Sequence, residues 1–481
     1  MRQALAGILA AIVLLALAPA PLLAHGRLKG SIPAAGAHLA EVPKQLRLDF
    51  SEAAELTFTA VRLRTADGRE IPLGALAFAT GSRRSVLAPV TGAMNAGTYV
   101  VMWQVAGADG HPVRGRFEFV VAPGAMGTVA AANNMPEMHH DPVSMPESDG
   151  FGAESPLYVV IRWMQFVALL LIVGAVSFRT FVLGSLHRTG KSQPEWADAA
   201  FVADAARGAA SAGLVAAGAL AGTLVIRLLA QSYAMHGAAN TFDASLVGSM
   251  VRQTMWGWGW QLQLVGIVLA GVGFYHARAE PRDVLATHSR TVPCSTTWWR
   301  LAALGAVAAA FSPALSGHAA SAPNFRALAI AADGLHVLGA SSWLGTLTIV
   351  LVAGLTAAMR QAPEARGSHV RSLINAFSPV ALASAGLAAA TGVFAAWLHV
   401  GTIPNLWGTQ YGITLLIKLA VLGIVALTGF YNWRFVQPAL GTDAATTRLK
   451  RSARVEVAVA VLVLLVTAVH VASPTSMDSA K

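Results

Sequence analysis

The residues best suited to chemistry in this 481-residue chain are its histidines, fourteen in all against a single cysteine, Cys294. One cysteine permits no intramolecular disulfide and no Cys-based zinc or iron–sulfur site. Any bound metal must therefore use His, Met, carboxylate or backbone ligands. Three groupings stand out. Asp109 and His111 lie two apart, so on an extended strand end both point to one face. Alone, they read either as metal ligands or as an Asp109-Gly110 turn followed by an exposed polar residue. Asp333 and His336 lie three apart in an apolar stretch, on one face of a helix. Lys418 lies in another apolar stretch and can pair with Asp333; the alternative for both is a polar network that only holds helices together. Met135, Met138, His139, His140 and Met145 combine thioethers with imidazoles, which suits a soft cation, or they are incidental to a spacer.

The elements that must position these groups follow from composition. Hydrophobic residues make up 55% and charged residues 12% of the chain, where a soluble domain carries about 25% charged. That excludes a disordered chain and argues against a purely soluble one. Residues 1–24 carry Arg2, an apolar run from Leu5 to Leu17 and a small residue at Ala24, and read as a secretory signal peptide. Cleavage after Ala24 makes His25 the first residue, the alternative being an uncleaved anchor. Residues 25–122 alternate apolar and polar in short runs (Leu46-Leu48-Phe50, Tyr99-Val101-Trp103-Val105, Phe117-Phe119-Val121), separated by turns such as Asp67-Gly68 and Gly81-Ser82. This predicts an antiparallel sandwich or barrel with Met102 in its core and His38 on its surface. Residues 123–153, rich in Pro, Gly and Asn, predict a flexible tether.

From Leu157 onward eight apolar stretches recur, near 157–184, 209–232, 256–277, 298–316, 326–357, 372–400, 410–433 and 455–472. Each is close to or above the ~20 residues that span a bilayer. The more polar 192–208 reads as a surface helix or loop. With the β domain outside, the inner loops hold fifteen Lys and Arg against Arg252, Arg326 and Lys481 outside. This positive-inside bias accounts for the net charge of +10 and removes nucleic acid as a partner. Trp256, Trp258, Trp260, Trp298, Trp299, Trp407 and Trp433 are expected in interfacial belts. On this topology His236, His318, His399 and His470 sit at the outer ends of helices, with His336 ~15 Å into the fifth at 1.5 Å per residue. His187, His276, His288 and His369 fall on the inner side.

The run His25-Gly-Arg-Leu, Ser31-Ile-Pro-Ala-Ala-Gly and Leu46-Arg-Leu-Asp-Phe-Ser-Glu52 resembles the periplasmic copper-binding CopC family, as do Gly97-Thr-Tyr-Val-Val-Met-Trp103 and Ala108-Asp-Gly-His-Pro-Val-Arg-Gly115. The resemblance implies a Greek-key β sandwich, immunoglobulin- or cupredoxin-like, with one Cu(II) site. An N-terminal His25 supplies both its amine and a ring nitrogen. With Asp109 and His111 this makes a tetragonal set suited to Cu(II). The Met-rich Cu(I) loop of some relatives is missing, since Met94 and Met102 are the only methionines in the domain; the site is expected to take Cu(II) alone.

Residues 154–473 resemble the copper-resistance membrane family CopD through Ser316-Gly-His-Ala-Ala-Ser321, Asp333-Gly-Leu-His-Val-Leu-Gly-Ala-Ser-Ser-Trp-Leu-Gly345, Phe377-Ser-Pro379, Tyr411-Gly-Ile-Thr-Leu-Leu-Ile-Lys418 and Arg454-Val-Glu456. That implies copper handling in the inner membrane by an eight-helix, all-α polytopic bundle. The expected path runs through His318, Asp333, His336, His399 and His470, with His236 and Lys418 in weaker roles and Asp333 orienting His336 or balancing the ion's charge. The ion there is Cu(I) or Cu(II). No nucleotide-binding P-loop occurs and no enzymatic activity is expected. Expected partners are copper ions, the lipid bilayer, and periplasmic copper chaperones or a reductase. A second reading is an outer-face store that confers resistance without transport. A third is a b-type cytochrome, because paired transmembrane histidines can hold haem iron.

Overall fold

The computed structural model describes residues 28–51, 53–107, 110, 112–123, 155–189, 195–279, 293–322, 325–440 and 443–472. Its N-terminal part is a sandwich of two sheets. One is ordered β1(Leu28–Ile32)-β3(Gln45–Phe50)-β7(Ser82–Pro89)-β6(Ala77–Ala79), and the other β2(His38–Leu39)-β9(Pro112–Val121)-β8(Gly97–Ala106)-β4(Ala60–Thr65)-β5(Glu70–Ile71). The period-two pattern does what it predicts. Leu46, Leu48 and Phe50 from one sheet meet Tyr99, Val101, Trp103, Phe117 and Phe119 from the other in one buried core. Phe50 meets Trp103 edge-on with ring centroids 5.3 Å apart. Asn95 both donates to and accepts from the Tyr99 hydroxyl at 2.8 Å, which pins the start of β8. Met102 is a correction: alternation places it on the outer face, half-buried, while Met94 joins the core. His38 is exposed, as expected.

Among the described residues eight helices are long and apolar enough to cross a membrane: α1(Pro156–Leu186), α2(Ala200–His236), α3(Met255–Ala279), α4(Thr297–Leu315), α5(Arg326–Met359), α6(Pro363–Val400), α7(Gln410–Ala439) and α8(Ala445–Ala472). This is a multi-pass membrane architecture. The segment 192–208 differs from expectation, because the α2 helix already begins at Glu195. Phe201, Ala205 and Ala209 keep helical spacing and are buried in the bundle, so this stretch packs rather than lying on the surface. In α5, π-helical turns at Ser341–Gly345 and Val350–Gly354 interrupt the α pattern below His336; such turns are frequent at functional sites.

The sandwich rests on the bundle. Phe58 and Ala106 pack with Met235, Met250 and Trp256 in one buried cluster. Arg114 Nη2 donates to the Ala234 carbonyl at 2.8 Å, and Gln104 Nε2 donates to the Met235 carbonyl at 3.2 Å. Arg114 Nε also donates to Gln104 Oε1 at 2.8 Å, so the two side chains brace each other at the contact.

Candidate metal centre and its docking seat

His25, Asp109 and His111 lie outside the described residues, as do Met135, Met138, His139, His140 and Met145. Gly110, between Asp109 and His111 in sequence, is described. Its φ is +77°, a conformation favouring glycine. Its carbonyl accepts from Gln231 Nε2 at 2.5 Å, and a Cβ there would lie 2.9 Å from Trp256 Cδ1. Gly110 is thus pressed onto α2 and α3. Trp256 is 1% exposed and is no interfacial belt residue; it is turned inward between Gly110 and the Arg227 guanidinium, which lies 5.1 Å from its ring centroid. Trp258, Trp407 and Trp433 are exposed on the apolar bundle, as a belt requires.

Two chains of buried contacts lead inward from this seat. In one, the Tyr158 hydroxyl donates to Gln231 Oε1 at 2.8 Å, Arg162 lies 5.2 Å from the Tyr158 ring, and Arg162 Nη1 donates to the Ala468 carbonyl at 3.3 Å, two residues before His470. In the other, Arg227 Nη2 donates to Ser316 Oγ at 2.7 Å, two residues before His318.

Three of the expected histidines converge. The ring centroids of His318 and His399 are 6.2 Å apart, and Tyr411 stands 6.4 Å and 6.3 Å from them. His470 packs on Tyr411 at 4.2 Å. At metal–nitrogen distances near 2 Å, one ion held by two imidazoles on opposite sides separates their ring centroids by about 6 Å, and the His318–His399 spacing matches that linear arrangement only. Among the described residues no three His, Cys, Asp or Glu side chains already form a ligand cluster.

His470 Nδ1 is 2.8 Å from Thr414 Oγ1, whose own proton goes to the Gln410 and Tyr411 carbonyls at 3.0 Å. With the hydroxyl proton on either carbonyl, Thr414 Oγ1 accepts from His470 Nδ1, and that tautomer keeps the Nε2 lone pair for a ligand. His336 repeats this logic. Its Nδ1 is 2.9 Å from the Ala388 carbonyl and 3.2 Å from Thr391 Oγ1, which again leaves Nε2 as the free ligand atom. The expectation that Asp333 orients His336 is corrected, because the ring reaches across to α6 and the Ala388 carbonyl orients it. Asp333 interacts electrostatically with Lys418 and Tyr411, and Lys418 also acts on His336 and His470. His236 stands apart from the cluster. Its Nδ1 is 3.3 Å from Ser232 Oγ, and it follows Met235 at the β-domain contact.

Sequence reasoning quoted Tyr411 within a family motif but gave it no role, and it passed over Gln231 and Arg227. Tyr411 carried a signal, since it lies seven residues before Lys418, two turns along one helix face. Gln231 and Arg227, four apart in an apolar helix, were polar residues with no separate mark of function.

Comparison with known proteins matches these parts in order. Residues 28–122 match the CopC domain, 152–324 the Copper resistance protein D-like N-terminal domain, and 371–470 Copper resistance protein D. "Copper transport protein CutJ" of Bacillus subtilis (strain 168) is 23% identical over 459 residues, 95% of this chain and 75% of that protein. "Copper resistance protein C" of Escherichia coli is 30% identical over 106 residues, 21% of this chain and 82% of that protein. The crystal structure of CopC from Methylosinus trichosporium OB3b aligns with 22% of this chain and 100% of its own at 25% identity, TM-score 0.20. The chain therefore belongs to the copper-resistance family as a fusion of an N-terminal CopC domain with a CopD membrane domain.

Proposed function

We propose that this protein captures Cu(II) outside the inner membrane and passes copper inward through its bundle. In this reading His25, Asp109 and His111 hold Cu(II) on the β domain, which faces the periplasm together with the C-terminus. His318, His399 and His470 receive the ion around Tyr411, and His336 takes it deeper through its free Nε2. Asp333 balances its charge opposite Lys418. The Met135–Met145 segment is an auxiliary binder, and chaperones or a reductase in the periplasm are the expected suppliers. The observation that carries this reading is the seat, since Gly110 is hydrogen-bonded to Gln231 at the head of contacts that end beside His318 and His470.

The test is cellular copper content with and without the protein, at limiting and at excess copper. Inward delivery predicts less cell-associated copper without it at limiting supply. Storage at the outer face predicts that only tolerance of excess copper changes. A visible spectrum of the purified protein separates the cytochrome reading, which requires a Soret band. The Tyr411 ring, 6.4 Å and 6.3 Å from His318 and His399, occupies space that a macrocycle between those histidines would need.

A further inference from the structure

Glu456 has no part in the copper path described so far. It lies in α8, fourteen residues from His470 and so ~21 Å farther in along that helix at 1.5 Å per residue. It is 4% exposed. Its Oε2 accepts from Asn432 Nδ2 of α7 at 3.1 Å, and Ser452 Oγ donates to Asn432 Oδ1 at 2.5 Å, which orients the amide. Both side chains are neutral. The helices packed against α8 carry, toward their inner ends, Arg179 on α1, Arg360 after α5, His369 and Arg371 on α6, and Tyr431 and Arg434 on α7. On α8 itself Arg451 and Arg454 are exposed. Among the described residues none of these lies within ion-pair or hydrogen-bond distance of Glu456. An ionised carboxylate so placed would be desolvated with no opposite charge beside it, a cost that a protonated carboxyl escapes.

An apolar layer separates this group from the outer histidines. Leu170, Leu344, Val421, Val425, Val459 and Val463 form one buried cluster across α1, α5, α7 and α8. Val421 and Val425 lie between Lys418 and Asn432 on α7, and Val459 and Val463 lie between Glu456 and His470 on α8. Leu344 belongs to the π-helical turn Ser341–Gly345, and Asn432 opens another, Asn432–Val436. The exposed Arg451 and Arg454 put the inner interface about one turn from Glu456. Glu456 therefore stands beyond the layer, on its inner side.

We infer that Glu456 is a proton-binding site at the inner end of the bundle, which gives up its proton when copper arrives and takes one back when copper leaves. The step presupposes the inward passage proposed above. In the empty bundle the carboxyl keeps its proton. When the ion crosses the apolar layer, the carboxyl O–H bond breaks, the proton leaves to the inner aqueous phase, and the carboxylate offsets the ion's charge. Departure of the ion reverses the step, with a proton returning from the same side. No electron moves, and no proton crosses the membrane. Opposite charges attract far more strongly in such surroundings than in water, so the carboxylate draws the cation across a layer that offers it no ligand.

The experiment uses the full chain in liposomes, with isotope-labelled glutamate carboxyls to separate them from aspartates in the infrared spectrum. Copper is added as Cu(II) and, in a parallel run, with ascorbate as Cu(I). Glu456→Gln keeps the size of the side chain and still accepts from Asn432, and thermal unfolding confirms that it is folded. At neutral pH the wild type should show a protonated glutamate band that Glu456→Gln lacks, and copper should diminish that band. Copper entry, followed with an entrapped fluorescent indicator, should fall about tenfold or more in Glu456→Gln, because the opposite charge can no longer form. Glu456→Asp, which keeps an ionisable carboxyl, should retain a larger share of entry than Glu456→Gln. A glutamate band absent from the wild type would overturn the inference, and this arm needs no substitution. A band unchanged by copper would also overturn it, as would equal entry in Glu456→Gln and wild type. A wild type that admits no copper removes the transport reading and the inference together, whereas normal entry without the carboxyl removes the inference alone.

Discussion

His336 and Ala388 are joined across α5 and α6 by a hydrogen bond from the ring Nδ1 to the backbone carbonyl at 2.9 Å. A backbone acceptor cannot be protonated or rotated away, so it fixes the tautomer and aims Nε2 away from α6. Gly392 supports this placement, since a Cβ there would lie 3.2 Å from His336 Cε1. His336→Ala should abolish copper passage and leave Cu(II) capture by the β domain intact. Loss of the hydrogen bond should cost about 1 kcal/mol of bundle stability. Copper accumulation and thermal unfolding, measured together, check this. A folded variant that accumulates copper normally would show that His336 only packs.

Thr414→Val tests whether Thr414 orients His470. Valine keeps the shape but removes the oxygen 2.8 Å from His470 Nδ1. Removal of such orienting partners typically costs 10–100-fold in metal affinity, and that weakening is expected for the membrane copper site alone. Copper titration of the detergent-solubilised protein, with the N-terminal site blocked by His111→Ala, reads it directly.

The N-terminal site has its own signature. One extra residue ahead of a mature His25 turns a chelating amine into an amide, and severe weakening of Cu(II) binding is expected, as it is for His111→Ala. Because imidazole and amine ligands must be deprotonated, acid should weaken Cu(II) binding progressively. Undiminished affinity in the extended protein would refute the ligand set.

Gln231→Ala should loosen the seat, because it removes the donor to the Gly110 carbonyl and the acceptor of the Tyr158 hydroxyl, a loss of about 1–3 kcal/mol for the buried carbonyl. Cysteines introduced as Arg114→Cys and Ala234→Cys, joined by a bifunctional maleimide, report docking. The cross-link yield should fall with Gln231→Ala while Cu(II) capture remains.

Asp49 offers a pH marker for the sandwich. Burial alone would raise its carboxyl, but hydrogen bonds from Ser85 and Arg47, with the Arg47 charge, hold it below its ordinary value of 3.8. The resulting stability is present above that value and is lost as pH falls through the depressed folded value. Asp49→Asn should lower stability at neutral pH by a modest ~0.2–1 kcal/mol, since the Arg47 pair is partly exposed. The gap should close in strong acid, as read by chemical denaturation at several pH values.

Patterns of short period were legible from the residues. Alternation located Leu46, Leu48 and Phe50 in the sandwich core, and apolar length found all eight spans. The convergence of His318, His399 and His470 followed in outline from placing each at an outer helix end. Tyr411 as their common neighbour did not, because four separate segments meet there and no local spacing encodes the meeting. Trp256 failed for a related reason. An aromatic near a helix end reads as an interfacial anchor until a second domain is known to cover it. Met102 was a parity error, one residue out of step with Val101 and Trp103.

The seat also has a place in time. Gln231, Ala234 and Met235 end the second span and Trp256 opens the third, whereas His399, Tyr411 and His470 belong to the sixth, seventh and eighth. Chains emerge N-terminus first and domains fold largely as units during synthesis. The β domain and its whole landing surface thus exist before most of the histidine cluster has left the ribosome. The late helices then add the histidine cluster to a landing surface whose residues are already made.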